Sequence, residues 1–482
     1  MKYKILLQAT LAVWFPSILA ILVIAFGPRL YPLLQPDSGG YISFASSRTA
    51  IYPIFLQTLQ NIGCSLETIA FLQCVLFVAS FALLLWVLHR HVLTFYMTAL
   101  FGSLIALNIY LVQAQVTILT EALTLPLSNL LIIAIVLAAR HPKSLSPWLG
   151  IGFLCGLGMA IRPAFLALIL GVVFALPLYL RTKHAAWLST LSTLAFGFIA
   201  ALILEYALYS SHHEERNSLL GLTLFGKAAI MTTDPHYNDT FSSGPYNQLE
   251  TAVKNAFYEA KMWREAEKNI LRKVTRLAEL EVHAQYQLVR SDLKIAAKSM
   301  DISVSEVMQE YGKKVFLNNP GAYLRTSVSH YLDLWTTASQ SAFDALGMKT
   351  NVPIPSMLLP AEPETDVIRP PSLISIIVTP AFFIMGVVSF GLLLLSLLHL
   401  TKALTISSVK SETVHTKLMW ITMTGIGQAH LFLIAFINVS TARYLLSSYP
   451  FLLLAIVIYS QYLLTEVLLR KPLKGCDSIS EQ

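Results

Sequence analysis

Apolar residues along this chain come in long blocks, not in alternation. Ten blocks, at about 5–26, 67–88, 92–112, 119–139, 147–161, 164–180, 185–209, 373–398, 417–438 and 444–468, carry few charges. Most approach or exceed the roughly 20 residues that a helix needs to cross a bilayer. Strands of a membrane β-barrel would alternate apolar and polar residues over about 10 positions, and these blocks do not. The pattern predicts an all-α polytopic membrane protein with a bundle of about ten transmembrane helices. The fifth and sixth blocks are short and meet at Arg162-Pro163, so they read either as two spans or as a re-entrant pair.

Between the seventh and eighth blocks the texture changes. Residues 210–372 carry charges of both signs. The stretch YNQLETAVKNAFYEAKMWREAEKNILRKVTRLAEL has apolar residues at helical spacing with charged faces between them. NNPGAYLRTSVSHYLDLW predicts a turn at Asn319-Pro320-Gly321 followed by an amphipathic helix, and NVPIPSMLLPAEPETDVIRPPS predicts an extended link. Three regions follow: an N-terminal membrane module 1–209 with its first connecting loop at 27–66, a mainly helical region 210–372, and a C-terminal membrane module 373–482 that ends in a short tail.

Positive charge orients the bundle. With the N-terminus inside, the cytoplasmic segments hold Lys2, Lys4, Arg90, Arg140, Lys143, Arg181, Lys183, Lys402, Lys410, Lys417, Arg470, Lys471 and Lys474, while the short outer segments hold only Arg29, Arg48, Arg162 and Arg443. Region 210–372 then lies outside. Composition agrees: of 482 residues 55% are hydrophobic and 13% charged, against about 25% charged in soluble domains, and the mean hydropathy is +0.62. The net charge of +7 is a topology signal and needs no nucleic-acid partner. Cys64, Cys74, Cys155 and Cys476 show neither metal spacing nor an evident pairing, so no disulfide is predicted. Lys2 and Lys4 before an apolar run resemble a signal peptide, but no small-residue cleavage site follows, and the run reads as a retained first span.

Isolated charges then fall on one membrane face: Asp37 and Arg48 in the first outer loop, Glu121 at the start of the fourth block, Arg162 between the fifth and sixth, Glu205 near the end of the seventh, and Arg443 at the start of the tenth. A charge at mid-bilayer costs about 2.5–3.5 kcal/mol and much less near an interface, so these positions are tolerable. Each has a structural reading. Arg443 could snorkel as an interfacial anchor. Glu121 and Glu205 could complement helix ends. Arg162-Pro163 could be a polar turn in which proline opens a helix. Asp37 could be a turn residue or the cap of an amphipathic helix running SGGYISFASSR. Cost alone does not explain why acids and arginines gather on one side.

Four stretches resemble the GT-C family of membrane glycosyltransferases. QPDSGGYISFASSRTAIYPIFL is similar to that family's first outer loop, with an Asp after the first span, an interfacial helix containing Tyr41, and a YP segment containing Tyr52 that enters the second span. LTEAL, with Glu121, is similar to the acidic position opening the fourth span. GLGMAIRPAFLALI, with Arg162, and TARYLLSSYPFLLLA, with Arg443, are similar to two further family segments, in the family's order. The likeness covers about 1–205 and 415–470 and leaves the subfamily open, since Ser38 stands where some subfamilies place a second acid. It implies a GT-C-like bundle with an interfacial helix in the first outer loop and a mainly helical outer domain. It also implies a polyprenyl-phosphate sugar donor, transfer at the outer leaflet of a bacterial cytoplasmic membrane, and Asp37 as the base.

The chemistry fits these residue types. A carboxylate in hydrogen-bond reach of an acceptor hydroxyl can take its proton, a role for Asp37. Arginines can hold the departing phosphate through charge-assisted bonds; the candidates are Arg443, Arg162 and Arg48, with Glu121, Tyr41 and Tyr52 completing the binding set. Asp37 and Glu121 could share a divalent metal, but no DxD pattern is present and no cofactor is expected. One base without an evident nucleophile implies inversion. The acceptor could be a lipid, a glycan or a protein. Rival readings are an O-antigen-type polymerase or ligase, a lipid or glycan flippase or transporter, and a non-catalytic subunit. His212, His213, Glu214 and Glu215 read as a solvated polar run, His430 as a helix-packing residue, and Asn238-Asp239-Thr240 as a bare sequon.

Overall fold

The structure is a computed structural model that describes residues 2–26, 32–35, 37–141, 143–172, 187–214, 219–267, 281, 284, 289–335, 372–405, 412–437 and 442–465. All regular structure among these residues is helical. The first part of the chain holds α1 (Lys2–Phe26), α2 (Ser38–Ile42), α3 (Ile51–Asn61), α4 (Leu66–His91), α5 (Phe95–Ala106), α6 (Ile109–Val116), α7 (Glu121–Arg140), α8 (Leu145–Ile161), α9 (Pro163–Val172) and α10 (Trp187–Ser210). The middle region holds α11 (Leu220–Met231), α12 (Gly244–Ala256), α13 (Tyr258–Ala266), α14 (Arg290–Met300), α15 (Val304–Asn318) and α16 (Pro320–Leu334). The last part holds α17 (Ser372–Thr405), α18 (Glu412–Ile437) and α19 (Ala442–Leu463).

Among the described residues five helices are long and apolar enough to cross a membrane: Leu66–His91, Glu121–Arg140, Leu188–Ser210, Thr416–Ile437 and Tyr444–Leu463. The protein is thus an all-α, multi-pass membrane protein. Large apolar residues stay exposed along α4 (Phe71, Val75, Leu83, Trp86) and α10 (Phe196, Ile199, Ile203, Tyr206), more apolar surface than water tolerates. The third block is not one span. It breaks at Leu107-Asn108 into α5 and α6, where the Asn108 side chain accepts from the Leu111 amide at 3.3 Å and so starts a new helix. The predicted interfacial segment is two helices, not one, and Tyr52-Pro53 sits inside α3, separated from α4 by Ile62–Ser65. The long amphipathic stretch after Tyr246 breaks at Phe257 between α12 and α13, and its part beyond Glu267 lies largely outside the described residues, as do the second half of the sixth block and the proline-rich link. The predicted turn narrows to Asn319, since Pro320 and Gly321 already open the helix that follows, Pro320–Leu334.

Small residues set the closest helix pair. Gly152 and Gly156 on α8, four apart, press against the backbone of α10 at Leu194 and Phe198, and Gly197 of α10 presses against Leu149. Backbones approach this closely only where no side chain intervenes. Gly158 likewise makes room for the Phe165 ring, which folds α9 back under α8 and fixes the turn at Arg162. Gly152→Leu should therefore separate α8 from α10, at a cost of about 1–3 kcal/mol or more. A lowered thermal midpoint in detergent checks this, with Gly150→Leu, where a side chain meets open space, as the unaffected control.

The middle region has its own core, with Phe225, Trp263, Tyr311 and Phe257 buried together. At its boundary with α18 lies a fully buried charged cluster. Lys227 donates to the Ala435 carbonyl, and the Glu281 carboxylate sits 3.2 Å from His330 Nδ1. Burial pushes Glu281 up to about 7, and Lys227 only partly opposes this; burial likewise pushes Lys227 down to about 8, against the pull of Glu281. From pH 4.5 to about 7 the folded chain keeps a proton that the unfolded chain has lost, so stability falls as pH rises. From about 8 to 10.5 the unfolded chain holds the extra proton, so stability rises again. A stability minimum between these windows is expected in a pH series of thermal midpoints, and Glu281→Gln should flatten the acidic limb.

Candidate functional site

The first loop is tied to the bundle by backbone and side-chain bonds. Leu33 forms an isolated parallel bridge with Thr117, with Leu33 N to Val116 O at 2.9 Å and Ile118 N to Leu33 O at 3.0 Å. Ser38 Oγ donates to Ile118 O at 2.8 Å and accepts from the Gln35 amide. Tyr52 Oη donates to Gln73 Oε1 at 2.9 Å, and Gln73 Nε2 donates to the carbonyls of Gln115 and Thr117 at 3.0 and 3.3 Å. A lone buried amide thus connects α3, α4 and the end of α6. The Tyr209 hydroxyl donates to Ser46 O at 2.7 Å, and Phe44, at φ 49°, turns the chain between α2 and α3.

On this frame stand two acid–arginine pairs. Arg48 Nη2 donates to Asp37 Oδ1 at 2.7 Å, and its Nη1 reaches Tyr41 Oη at 3.4 Å, with the guanidinium 4.6 Å from the Tyr41 ring centre. Asp37 begins α2 but makes no capping bond with its side chain, so its cap reading gives way to the ion pair. Tyr41 and Tyr52 meet edge to face at 5.4 Å. The second pair is Arg162 Nη1 to Glu121 Oε1 at 3.0 Å, with the guanidinium stacked 4.2 Å over the ring of Tyr444. Glu121 opens α7, as the dipole reading allows, yet its carboxylate turns to Arg162 and also accepts from Thr120 Oγ1 at 3.2 Å.

The pairs are neighbours. Thr49, next to Arg48, donates its hydroxyl to the carbonyl of Ile161, next to Arg162, at 2.8 Å. Burial raises the Tyr52 phenol well above its ordinary value, and Glu121 and Tyr41 add to the effect. So the tyrosine that meets the first pair also feels the acid of the second. Side-chain exposures separate the two: 23% for Asp37 and 19% for Arg48, against 4% for Glu121 and 8% for Arg162. The first pair is partly exposed, and the second is held inside.

Six of the seven residues singled out in the sequence, Asp37, Arg48, Tyr41, Tyr52, Glu121 and Arg162, come together. The Arg443 side chain lies outside the described residues, but Tyr444 beside it brings the start of α19 to Arg162. Glu205 accepts from the Ala50 amide at 3.1 Å and is a structural support under α3. His213 bonds the Phe44 carbonyl at 2.8 Å and His212 the Leu208 carbonyl at 3.1 Å; no cluster of metal-ligand type occurs among the described residues. His430 is buried near Arg162. The sequence reading missed Tyr444, Gln73 and Ser38. Gln73 had a signal, a single amide inside an apolar block, whereas Tyr444 looks like any interfacial aromatic until Arg162 is placed on it.

The opposite end of the bundle is closed by other contacts. Arg140 donates to the His91 carbonyl, and Gln461 bridges the Val92 carbonyl and the Thr94 amide at 3.0 and 2.8 Å. Among the described residues, the paired acids and arginines and the basic residues Arg90 and Arg140 are therefore at opposite ends of the helices. No family model matches the chain, and no curated protein or solved structure matches it either.

Proposed function

We propose that this chain is a membrane glycosyltransferase of GT-C type. It moves a sugar from a polyprenyl-phosphate donor to an acceptor hydroxyl at the extracytoplasmic face, with inversion. The observation that carries the reading is the adjacency of an accessible Asp37–Arg48 pair to a buried Glu121–Arg162 pair, linked through Thr49 and Ile161. Basic residues at the far end of the bundle, Arg90 and Arg140 among the described ones, support an outer position for this site by the positive-inside rule. An acidic lipid headgroup and an apolar tail need cationic and apolar surfaces at one interface, and this end of the bundle offers both.

In the proposed reaction the acceptor oxygen forms its bond to the anomeric carbon as the bond from that carbon to the phosphate oxygen breaks. The hydroxyl proton passes to Asp37, and the leaving electron pair stays on the polyprenyl phosphate. In the unliganded pair Arg48 occupies the Asp37 carboxylate. A phosphate entering beside it competes for the same guanidinium through charge-assisted bonds. Movement of Arg48 from carboxylate to phosphate would release Asp37 to act as base and at once stabilise the leaving group. Arg162 stays fixed by Glu121 and Tyr444, a preorganised, net-neutral support behind the site.

Two glycines separate this mechanism from mere turn chemistry. A β-carbon at Gly40 would lie 3.0 Å from Arg48 Nε, whereas one at Gly39 meets nothing within 4 Å. Gly40→Ala should shift the Arg48 side chain slightly and lower turnover by less than about tenfold, short of the roughly 100-fold that a full ångström of misplacement costs, while Gly39→Ala should be near neutral. The reading itself is tested by reconstituting the native chain with a panel of polyprenyl-phosphate sugars and candidate acceptors. Release of polyprenyl phosphate with an inverted glycoside is expected. A retained configuration would reject the single-displacement route, and no release from any donor would favour transport or a structural role.

A further inference from the structure

We infer that α16, within the middle region, is inserted into the bilayer leaflet on the site's side and meets lipid acyl chains through Leu324, Val328 and Leu332. The inference does not depend on the catalytic reading. Depth comes first. Tyr323 Oη donates to the Phe436 carbonyl at 2.8 Å, and Tyr331 Oη donates to Gln428 Oε1 at 2.6 Å, with Tyr331 stacked on Phe432 at 4.6 Å. Phe436 and Gln428 are eight positions apart, about 12 Å along a helix axis. Since α18 is apolar enough to span from Thr416 to Ile437, the C-terminal end of α16 lies level with the middle of that span. Trp335 then reaches Gly386 of α17, where a β-carbon would sit 2.7 Å from the indole.

Polarity is the second, independent observation. Thr326, Ser327, His330 and Asp333 of α16 are buried. Leu324, Val328 and Leu332, spaced i, i+4, i+8 and so on one face, are 54, 48 and 42% exposed. A helix in water buries its apolar stripe and solvates its polar one. α16 instead buries these polar residues together with Ala322, Tyr331 and Leu334, and beyond Arg325, which pairs with Asp234 near the helix start, its exposed residues are apolar, as on a helix whose solvent is hydrocarbon. Ile384 and Val387 of α17, beside the Gly386 contact, are also exposed apolar residues and continue the same surface.

The test uses the full chain in liposomes of phosphatidylethanolamine and phosphatidylglycerol. Cys64 and Cys476 are replaced with serine, the buried Cys74 and Cys155 are kept, and nitroxide labels are placed singly through L324C, V328C and L332C, with K313C on the exposed face of α15 as the aqueous reference. Collision with dissolved oxygen against a water-soluble nickel chelate reports depth. The ratio is expected to favour oxygen at all three positions, to rise from 324 through 328 to 332, and to reverse at 313. Ratios at 328 and 332 equal to that at 313, or no gradient, would overturn the insertion. Each labelled protein is accepted only with a single symmetric gel-filtration peak, so a misfolded variant is replaced by its neighbour on the stripe.

Discussion

Asp37→Asn is expected to lower turnover by about 10²–10⁴-fold, the range lost when a positioned general base is removed, with little change in stability. Turnover and stability respond to different properties of this side chain. Asparagine keeps the shape and the acceptor oxygen facing Arg48, so the 2.7 Å contact can persist, but it cannot take a proton from the acceptor. The pair is partly solvated, and exposed pairs contribute about 0–1 kcal/mol, so the thermal midpoint should barely move. Asp37→Glu should recover part of the rate, and Arg48→Met should weaken donor capture more than it alters the pH profile. Single-turnover release of polyprenyl phosphate, measured beside a melting curve, checks all three. Undiminished release by Asp37→Asn would remove Asp37 as the base.

Arg162→Met should act in the opposite way, first on stability. It takes the counter-charge from the Glu121 carboxylate in a site where both partners are almost wholly shielded from water. Breaking a buried pair by removing one partner costs about 3–5 kcal/mol. The stack on Tyr444 adds about 0.5–2 kcal/mol to the loss, in the range of cation–π contacts at desolvated sites. Glu121→Gln should cost less, because Arg162 keeps its stack on Tyr444. Combining Glu121→Leu with Arg162→Met should recover part of the loss, since no uncompensated charge remains. Thermal midpoints of the singles and the double, set out as a cycle, give the coupling. Additive losses would mean that the pair contributes nothing as a pair.

The helical blocks were legible because a bilayer demands long apolar runs, and most block ends lie within a few residues of the helix ends, as at α4, α7 and α18. Asp37, Glu121 and Arg162 stood out because charge is costly beside apolar sequence. What the pattern concealed has definite causes. Asn108 interrupts the third block while its average stays apolar, so a broken helix looks like a span. The pairing of Asp37 with Arg48 and of Glu121 with Arg162 depends on a loop folded back through Thr49, Ser38 and Gln73, none of which carries charge. α16 shows ordinary amphipathic spacing, and spacing alone does not say which stripe faces inward. Its burial pattern shows which residues face outward, and its bonds to Phe436 and Gln428 give its depth.

The central claim is that the two pairs form one pocket for a lipid phosphate. A photoreactive, diazirine-bearing polyprenyl phosphate crosslinked to the native chain in liposomes, and mapped by mass spectrometry, tests it most directly. Labelling is expected within α2, α3 and the segments flanking Glu121 and Arg162, competed by unlabelled polyprenyl phosphate and lost in the Arg48→Met variant. Labelling confined to the far end, around Arg90 and Arg140, or labelling that unlabelled lipid phosphate does not displace, would contradict it.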